Sequence, residues 1–388
     1  TQTVDGKIYA AVLSDDASDA DIYLVDDGLN ATKIGNVNAD IGVVDLEDSP
    51  SLGCLVGVYG KYILFLDKGT GEMVDFVAWG DGSSSLVGIA YAGSVMNTNY
   101  NKMIDIYYLV DSSGMVYFDA VIDEAVNEYG LDEEDVMNKG YKIYTALDQD
   151  YQKQLEATYQ NNALFPANAS DGAMVQSASV ALDPNTGGVQ ALVGRRGDHV
   201  FRGFSFATQM RRSPGSTIKP LSVYTPALEA GYKPSSVLKD EPQSYYDAHN
   251  FDGTYQGEVP MYQAVAQSLN LPAVWLLHEI GLQKGYDKAE EFGLPLAKSD
   301  KYYGLALGGL EKGVSPMIMA GAYSAFANEG QMYTPHLITK IVDSTGAVII
   351  DNTNKKPKQV ISKETADEMT SMLLGTFSNG TAAAANPA

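Results

Sequence analysis

A single cysteine, Cys54, is the only thiol among 388 residues. It rules out an internal disulfide and fits no metal-ligand spacing, so a buried, inert thiol is expected. Histidine is nearly as scarce. His199, His249, His278 and His336 form no evident partnership, and His278, on an apolar helical stretch, reads as a satisfied core residue rather than a base. No segment approaches eighteen uninterrupted apolar residues and no leader is visible, so any export or anchoring segment is expected outside this chain. Three hydrolytic and phosphate-binding devices are also missing: a Gly-x-Ser-x-Gly elbow, a His-Glu-x-x-His pair and a phosphate loop. Basic residues are in deficit, for a formal charge of −23. Residues 1–138 hold 25 Asp and Glu against 5 Lys and Arg, and the other 250 residues hold 24 against 21. Such acidity argues against nucleic acid or an anionic membrane surface as a partner of the first part. Solvated loop faces account for it, with weak calcium binding the alternative.

The chain is long enough for two or three domains. Residues 1–118 read as strand after strand. A unit recurs at Ile22–Gly28, Ile63–Gly69 and Ile106–Gly114, each an aliphatic or aromatic strand running into an Asp-Gly type turn. Its aspartates, Asp26, Asp67 and Asp111, are 41 and 44 residues apart, a spacing that suits propeller-like blades as well as a β-sandwich with similar hairpins. Near Phe118 the pattern turns helical. Asp119–Gly130 and Leu131–Asn138 are predicted helices, Gly140–Asp148 is a strand, and Asp148 is placed to cap a helix over Tyr151–Gln160. Residues 119–176 thus form a mixed linker.

From Ser177 the texture is α+β. Ser177–Leu182 and Val189–Val193 flank a turn at Asp183–Gly188. A helix follows from Ser216 to about Gly231, then a loop from Lys239 to Pro260. Met261–Leu269 and Ala273–Ile280 read as helices separated by Asn270-Leu-Pro272. Further helices are expected at Pro316–Asn328 and Lys363–Leu374, with a hairpin of Thr339–Val342 and Val348–Ile350 between them. Strands before and after the helices suggest one antiparallel sheet with helices packed on it.

The chemistry concentrates at Arg211-Arg-Ser-Pro-Gly-Ser216-Thr-Ile-Lys219-Pro220. A helix starting near Ser216 puts Lys219 on the same face as the serine hydroxyl, where a neutral amine could take its proton. The first N–H groups of that helix have no intrahelical partner, and Pro220 is tolerated in the first turn. Spacing alone is weak support, because Ser236-Val-Leu-Lys239 repeats it in a stretch expected to be a loop. The sole Ser-x-Asn, Ser268-Leu269-Asn270, lies 52 residues beyond Ser216, where a helix breaks before Pro272. Read alone, it is an ordinary capping serine and asparagine.

These residues carry a resemblance. From about Asp119 onward, roughly 270 residues, the chain resembles a class A penicillin-binding protein, the D,D-transpeptidase that cross-links peptidoglycan. Gly140–Asp148 resembles the family's linker, with Ala146 where a second threonine is usual. Ala207–Pro220 resembles its active-site segment, and Ala306–Pro316 a later one.

The resemblance implies a multidomain chain. An α+β serine transpeptidase domain of the penicillin-binding and β-lactamase type, residues 177–388, would be preceded by the all-β repeat segment 1–118 and the linker 119–176. Ser216 would be the nucleophile and Lys219 its base. Ser268 would relay a proton to the leaving D-Ala, and Asn270 would orient Lys219 and bind the substrate amide. The backbone N–H of Ser216 would be an oxyanion donor. Partners would be stem peptides, as D-Ala-D-Ala donor and amine acceptor, and β-lactams. No cofactor, metal or nucleic acid is implied, and the location would be the extracellular face of the bacterial cytoplasmic membrane. Alternatives are a cell-wall-binding or sensor protein with a vestigial serine domain, or a serine β-lactamase or D,D-carboxypeptidase.

Two departures stand out. The family's Lys-Thr-Gly motif is not in the sequence, which ends at Asn379–Ala388 in a stretch that leads to that strand in relatives, so a domain incomplete at its C-terminus and impaired in activity is expected. The family's glycosyltransferase is not seen either; residues 1–118 stand in its place.

Overall fold

The computed structural model describes residues 115–385 apart from 198, 199 and 201, and, within residues 1–114, nine strands and the turn at 68–70. The chain divides into two compact units, Thr1–Met115 and Val116–Ala388. Among the described residues no helix is long and apolar enough to cross a membrane.

In the first unit, β1 (Ile8–Leu13), β2 (Ala20–Val25) and β3 (Ala31–Val37) form an antiparallel three-stranded sheet. Strands β4 (Asp45–Ser49), β5 (Cys54–Tyr59), β6 (Tyr62–Asp67) and β7 (Met73–Ala78) form a four-stranded one, and β8 (Leu86–Asn97) pairs with β9 (Lys102–Asp111). Neighbours in sequence are neighbours in each sheet, as short connections require. The three recurring segments lie on β2, β6 and β9, one in each sheet. After β6 the turn is visible: the Asp67 carboxylate accepts the N–H groups of Gly69 and Thr70 at 2.7 and 2.8 Å. The turns expected at Asp26–Gly28 and Ser112–Gly114 fall outside the described residues. Cys54 is buried at the start of β5.

The second unit opens with α1 (Met115–Asn127), which runs across the change of pattern expected at Phe118. Its buried residues Tyr117, Ala120, Val121 and Ala125 recur at helical spacing, so the apolar face already begins before Asp119. Asp132 caps α2 (Glu133–Asn138), and Asp148 caps α3 (Gln149–Gln160) by accepting the N–H groups of Asp150 and Tyr151, both at 3.0 Å.

The sheet departs from expectation. Strand β10 (Lys142–Thr145) pairs with β16 (Ile338–Val342), which pairs with β17 (Val348–Asp351), all antiparallel. The hairpin of β11 (Ser179–Leu182) and β12 (Val189–Val193) remains a separate ladder. Irregularities at Tyr144/Thr145, Ala181/Leu182 and Ile341/Val342 interrupt the pairing, and only local bonds such as Val189 N–H to His336 O at 2.9 Å join the two. Several small antiparallel sheets replace the single sheet. Two more pairs are β13 (Val237–Asp240) with β14 (Gly257–Pro260), and β15 (Gln331–Met332) with β18 (Lys358–Gln359). The expected loop 239–260 is thus a loop closed by strand ends.

The larger core gathers around α6 (Asn270–Ile280), with Leu271, Ala273, Val274, Leu276, Leu277 and Ile280 all buried. Helices α4 (Thr225–Glu229), α5 (Met261–Ala266), α8 (Pro316–Ala327) and α9 (Lys363–Asn379) contribute to the same core. At about 2 kcal/mol per buried aliphatic side chain, these residues anchor α6 in the core. The helix break comes earlier than expected: α5 ends at Ala266, and Pro272 sits inside the first turn of α6, where its missing N–H costs nothing. His278 is not a core residue. It lies on the open side of α6, where its ring stacks on Tyr245 with centroids 4.1 Å apart. Helix α7 (Leu282–Glu291) was not anticipated; its Gly285 lies so close to the Ser222 carbonyl that a Cβ would come within 2.5 Å of the oxygen.

Candidate active site

The segment Arg211–Pro220 is clamped before it turns. Arg212 exchanges both backbone hydrogen bonds with Val314, at 3.0 and 2.8 Å. The Ser213 hydroxyl donates to Gly308 O at 2.5 Å and accepts the Gly215 N–H at 3.2 Å. Gly308 has φ +85°, and a Cβ there would fall 2.5 Å from Gly215 N. Only glycine serves at that contact.

The helix expected over Ser216–Gly231 is built in three pieces: a 3₁₀ turn at Gly215–Ile218, a π turn at Pro220–Tyr224, and α4. Pro220 explains the change of pitch, since it has no N–H to give to the carbonyl of Ser216. That carbonyl instead accepts the Lys219 N–H. In a 3₁₀ turn residues i and i+3 eclipse, so Ser216 and Lys219 share one face. The Ser216 side chain is exposed, and among the described residues its hydroxyl makes no hydrogen bond.

Lys219 is 2% exposed. Its amine lies 2.6 Å from Ser268 O, 3.0 Å from Leu269 O, 2.7 Å from Asn270 Oδ1 and 3.3 Å from Ser268 Oγ. None of these four acceptors is a carboxylate. Burial pulls the amine down from 10.5 to about 7, because removing the ammonium from water is uncompensated by an opposite charge. At 10.5, roughly one lysine in three thousand would be neutral at pH 7; at about 7 half of them are. A neutral amine has two N–H groups. The two shortest contacts, to Ser268 O and Asn270 Oδ1, use both and leave the lone pair for a hydroxyl.

Ser268 ends α5 in a left-handed conformation, φ +53°, with Ser268 N–H bonded to Val265 O and Leu269 N–H to Ala264 O. This reversal aims the carbonyls of Ser268 and Leu269 at Lys219. Asn270 then opens α6, donating from Nδ2 to His249 O at 2.7 Å.

Of the four sequence-derived candidates, three meet at the lysine amine. Ser216 joins them by its place one turn before Lys219 and not by a side-chain contact. The second Ser-x-x-Lys assembles nothing. Ser236 accepts the Lys233 N–H at 2.9 Å, and Lys239 is on strand β13, exposed and 3.7 Å from Glu241. On a strand, positions i and i+3 face opposite sides.

Some residues at the site went unread in the sequence. The Tyr323 hydroxyl donates to Thr217 O at 2.7 Å from α8. Buried Asn250 and Asp240 stand behind Asn270. Asp240 carried a signal, since it shares the inner face of β13 with Leu238 and a buried carboxylate needs a reason. Asn250 carried none, an asparagine in a loop being ordinary.

A family model described as the penicillin binding protein transpeptidase domain matches residues 177–388. Penicillin-binding protein 2a of Streptococcus pneumoniae is 50% identical over 279 residues, 70% of this chain and 38% of that protein. Penicillin-binding protein 1F of Bacillus subtilis is 41% identical over 271 residues, 69% of this chain and 37% of that one. Among solved structures, penicillin-binding protein PonA1 from Mycobacterium tuberculosis matches with a TM-score of 0.57 and 25% identity, covering 67% of this chain and 69% of that chain. The chain thus spans less than two fifths of the length of these curated relatives.

Proposed function

The chain belongs to the penicillin-binding protein transpeptidase family, and from that premise we propose that it carries the acyl-transfer site of a D,D-transpeptidase that cross-links peptidoglycan stem peptides at the outer face of the bacterial cytoplasmic membrane. The observation that supports this most is the buried Lys219 amine, shifted to about 7 and ringed by neutral oxygens, one turn from an exposed serine.

On this reading Ser216 Oγ attacks the carbonyl of the penultimate D-Ala while its proton passes to Lys219 Nζ. The Ser216 N–H, in a first turn, is available to the developing oxyanion. The peptide C–N bond then breaks, and the proton travels from Lys219 by way of Ser268 Oγ, 3.3 Å away, to the departing amine of the terminal D-Ala. An amino group of a second stem peptide attacks the ester, and Ser216 regains its proton. A β-lactam takes the donor's place and leaves the serine acylated. Residues 177–388 act as the transpeptidase domain and 119–176 as its linker, while the β-rich strands up to Asp111 belong to the other unit.

The test is labelling of the natural full-length protein with a fluorescent penicillin. The reading expects covalent label on the wild type and none on Ser216→Ala. Label that survives Ser216→Ala, or a wild type that takes none, would overturn it.

A further inference from the structure

Helix α6 begins without a cap of its own. The preceding residue is Leu269, which has no side-chain acceptor, and Pro272 has no N–H. The free N–H groups of Asn270 and Leu271 are nevertheless satisfied: Asn250 Oδ1, twenty residues upstream of Asn270, accepts them at 2.8 and 3.2 Å. Asn250 is 6% exposed, and its amide is otherwise committed too. Nδ2 donates to Asp240 Oδ1 at 2.7 Å and to Thr254 O at 2.8 Å. Asp240 has no exposed surface; its other oxygen accepts the Gln256 N–H at 2.8 Å, at the mouth of the β13–β14 hairpin. The backbone of the next residue back, His249, takes Asn270 Nδ2 at 2.7 Å.

We propose that Asn250, oriented by the buried Asp240, is a positioning residue for the acylation step: it caps α6 from a distant loop and so holds the Asn270 amide oxygen on Lys219. The inference rests on the function proposed above. Two consecutive residues, His249 and Asn250, grip the side chain and the backbone of Asn270. With Nδ2 of Asn270 committed to a carbonyl, only its oxygen can face the lysine. Asp240 removes the remaining freedom. Turning the Asn250 amide over would set its oxygen against a carboxylate and its NH₂ against two N–H donors. A chain of acceptor choices therefore runs from a hairpin mouth to the lone pair of the base. Asn250 touches neither the serine nor the amine and acts through Asn270.

The experiment measures penicillin acylation of the full-length protein by stopped flow, resolving the initial dissociation constant from the acylation rate constant. In Asn250→Ala the rate constant is expected to fall about 10- to 100-fold, with the dissociation constant unchanged within about threefold. Asn250→Asp sets two carboxylates face to face and loses rate to a similar degree. Combining it with Asp240→Asn restores a donor–acceptor pair read in reverse, and should recover at least about fivefold of the lost rate. Thermal melts establish folding first; if Asn250→Ala is unfolded, the two aspartate variants carry the comparison. A folded Asn250→Ala that acylates at the wild-type rate, or a reversed pair no faster than Asn250→Asp, would overturn the proposal. A wild type that fails to acylate would instead refute the function proposed above.

Discussion

Asn270 Oδ1 lies 2.7 Å from Lys219 Nζ, 51 residues away in sequence, and the contact joins a buried amine to a neutral amide. A carboxylate in that position would stabilise the ammonium and raise its pKa. An amide accepts a hydrogen bond without adding charge, so burial prevails and the amine remains usable as a base near neutrality.

The first prediction follows from that amine. Below about pH 7 Lys219 holds its proton and cannot accept another; above it the neutral form predominates. The second-order rate constant for penicillin acylation should rise about tenfold per pH unit on the acid side and level off above about 7. Lys219→Met should lose at least about a hundredfold and show no such limb. A wild-type profile flat from about pH 5.5 to 8.5 would contradict this role for Lys219.

Ser268 allows hydroxyl and backbone to be separated. Its φ of +53° costs a residue with a Cβ about 1 kcal/mol that glycine does not incur. Ser268→Ala and Ser268→Gly should both acylate slowly, having lost the hydroxyl proposed as the relay. Urea denaturation should nonetheless find Ser268→Gly more stable than Ser268→Ala by about 1 kcal/mol. Equal stabilities would contradict the strain.

Gly308 tests the clamp on the turn that carries Ser216. A Cβ there meets Gly215 N, O and Cα at 2.5–2.7 Å in a left-handed backbone. Gly308→Ala should destabilise by about 1–3 kcal/mol and slow labelling by pushing the Ser216 turn out of place. Unchanged labelling together with unchanged stability would show that the two segments part easily.

Ser236 provides the control. It has the same spacing to a lysine as Ser216, but it caps a turn beside a strand. Ser236→Ala should label within about twofold of wild type, with a stability loss of no more than about 1 kcal/mol. A labelling defect comparable to that of Ser216→Ala would contradict the site's assignment.

What was legible in the sequence was what is decided locally. Asp148 caps α3 within three residues of itself, and the Ser-x-x-Lys face depends on one turn. Pro272 was misread because a proline both breaks helices and opens them; here it opens one. Helix α7 was missed because its ten residues, Leu282–Glu291, carry few apolar positions and a central glycine, whose purpose is contact with the Ser222 carbonyl. The single sheet was expected from strand order, whereas the β11–β12 hairpin pairs apart from the β10–β16–β17 sheet. Ser268 and Asn270 were found by their spacing. Asn250 was not, since its partners are chosen by the fold and lie twenty residues on. His278 looked apolar by its neighbours and is exposed, because α6 leaves one side uncovered.

The most direct measurement is peptide mass spectrometry of the full-length protein after reaction with benzylpenicillin. The account predicts one covalent adduct, carried by the proteolytic peptide that contains Ser216 and localised to that residue by fragmentation. An adduct on Ser268, on Ser236 or on any other residue, or no adduct at all, would contradict it.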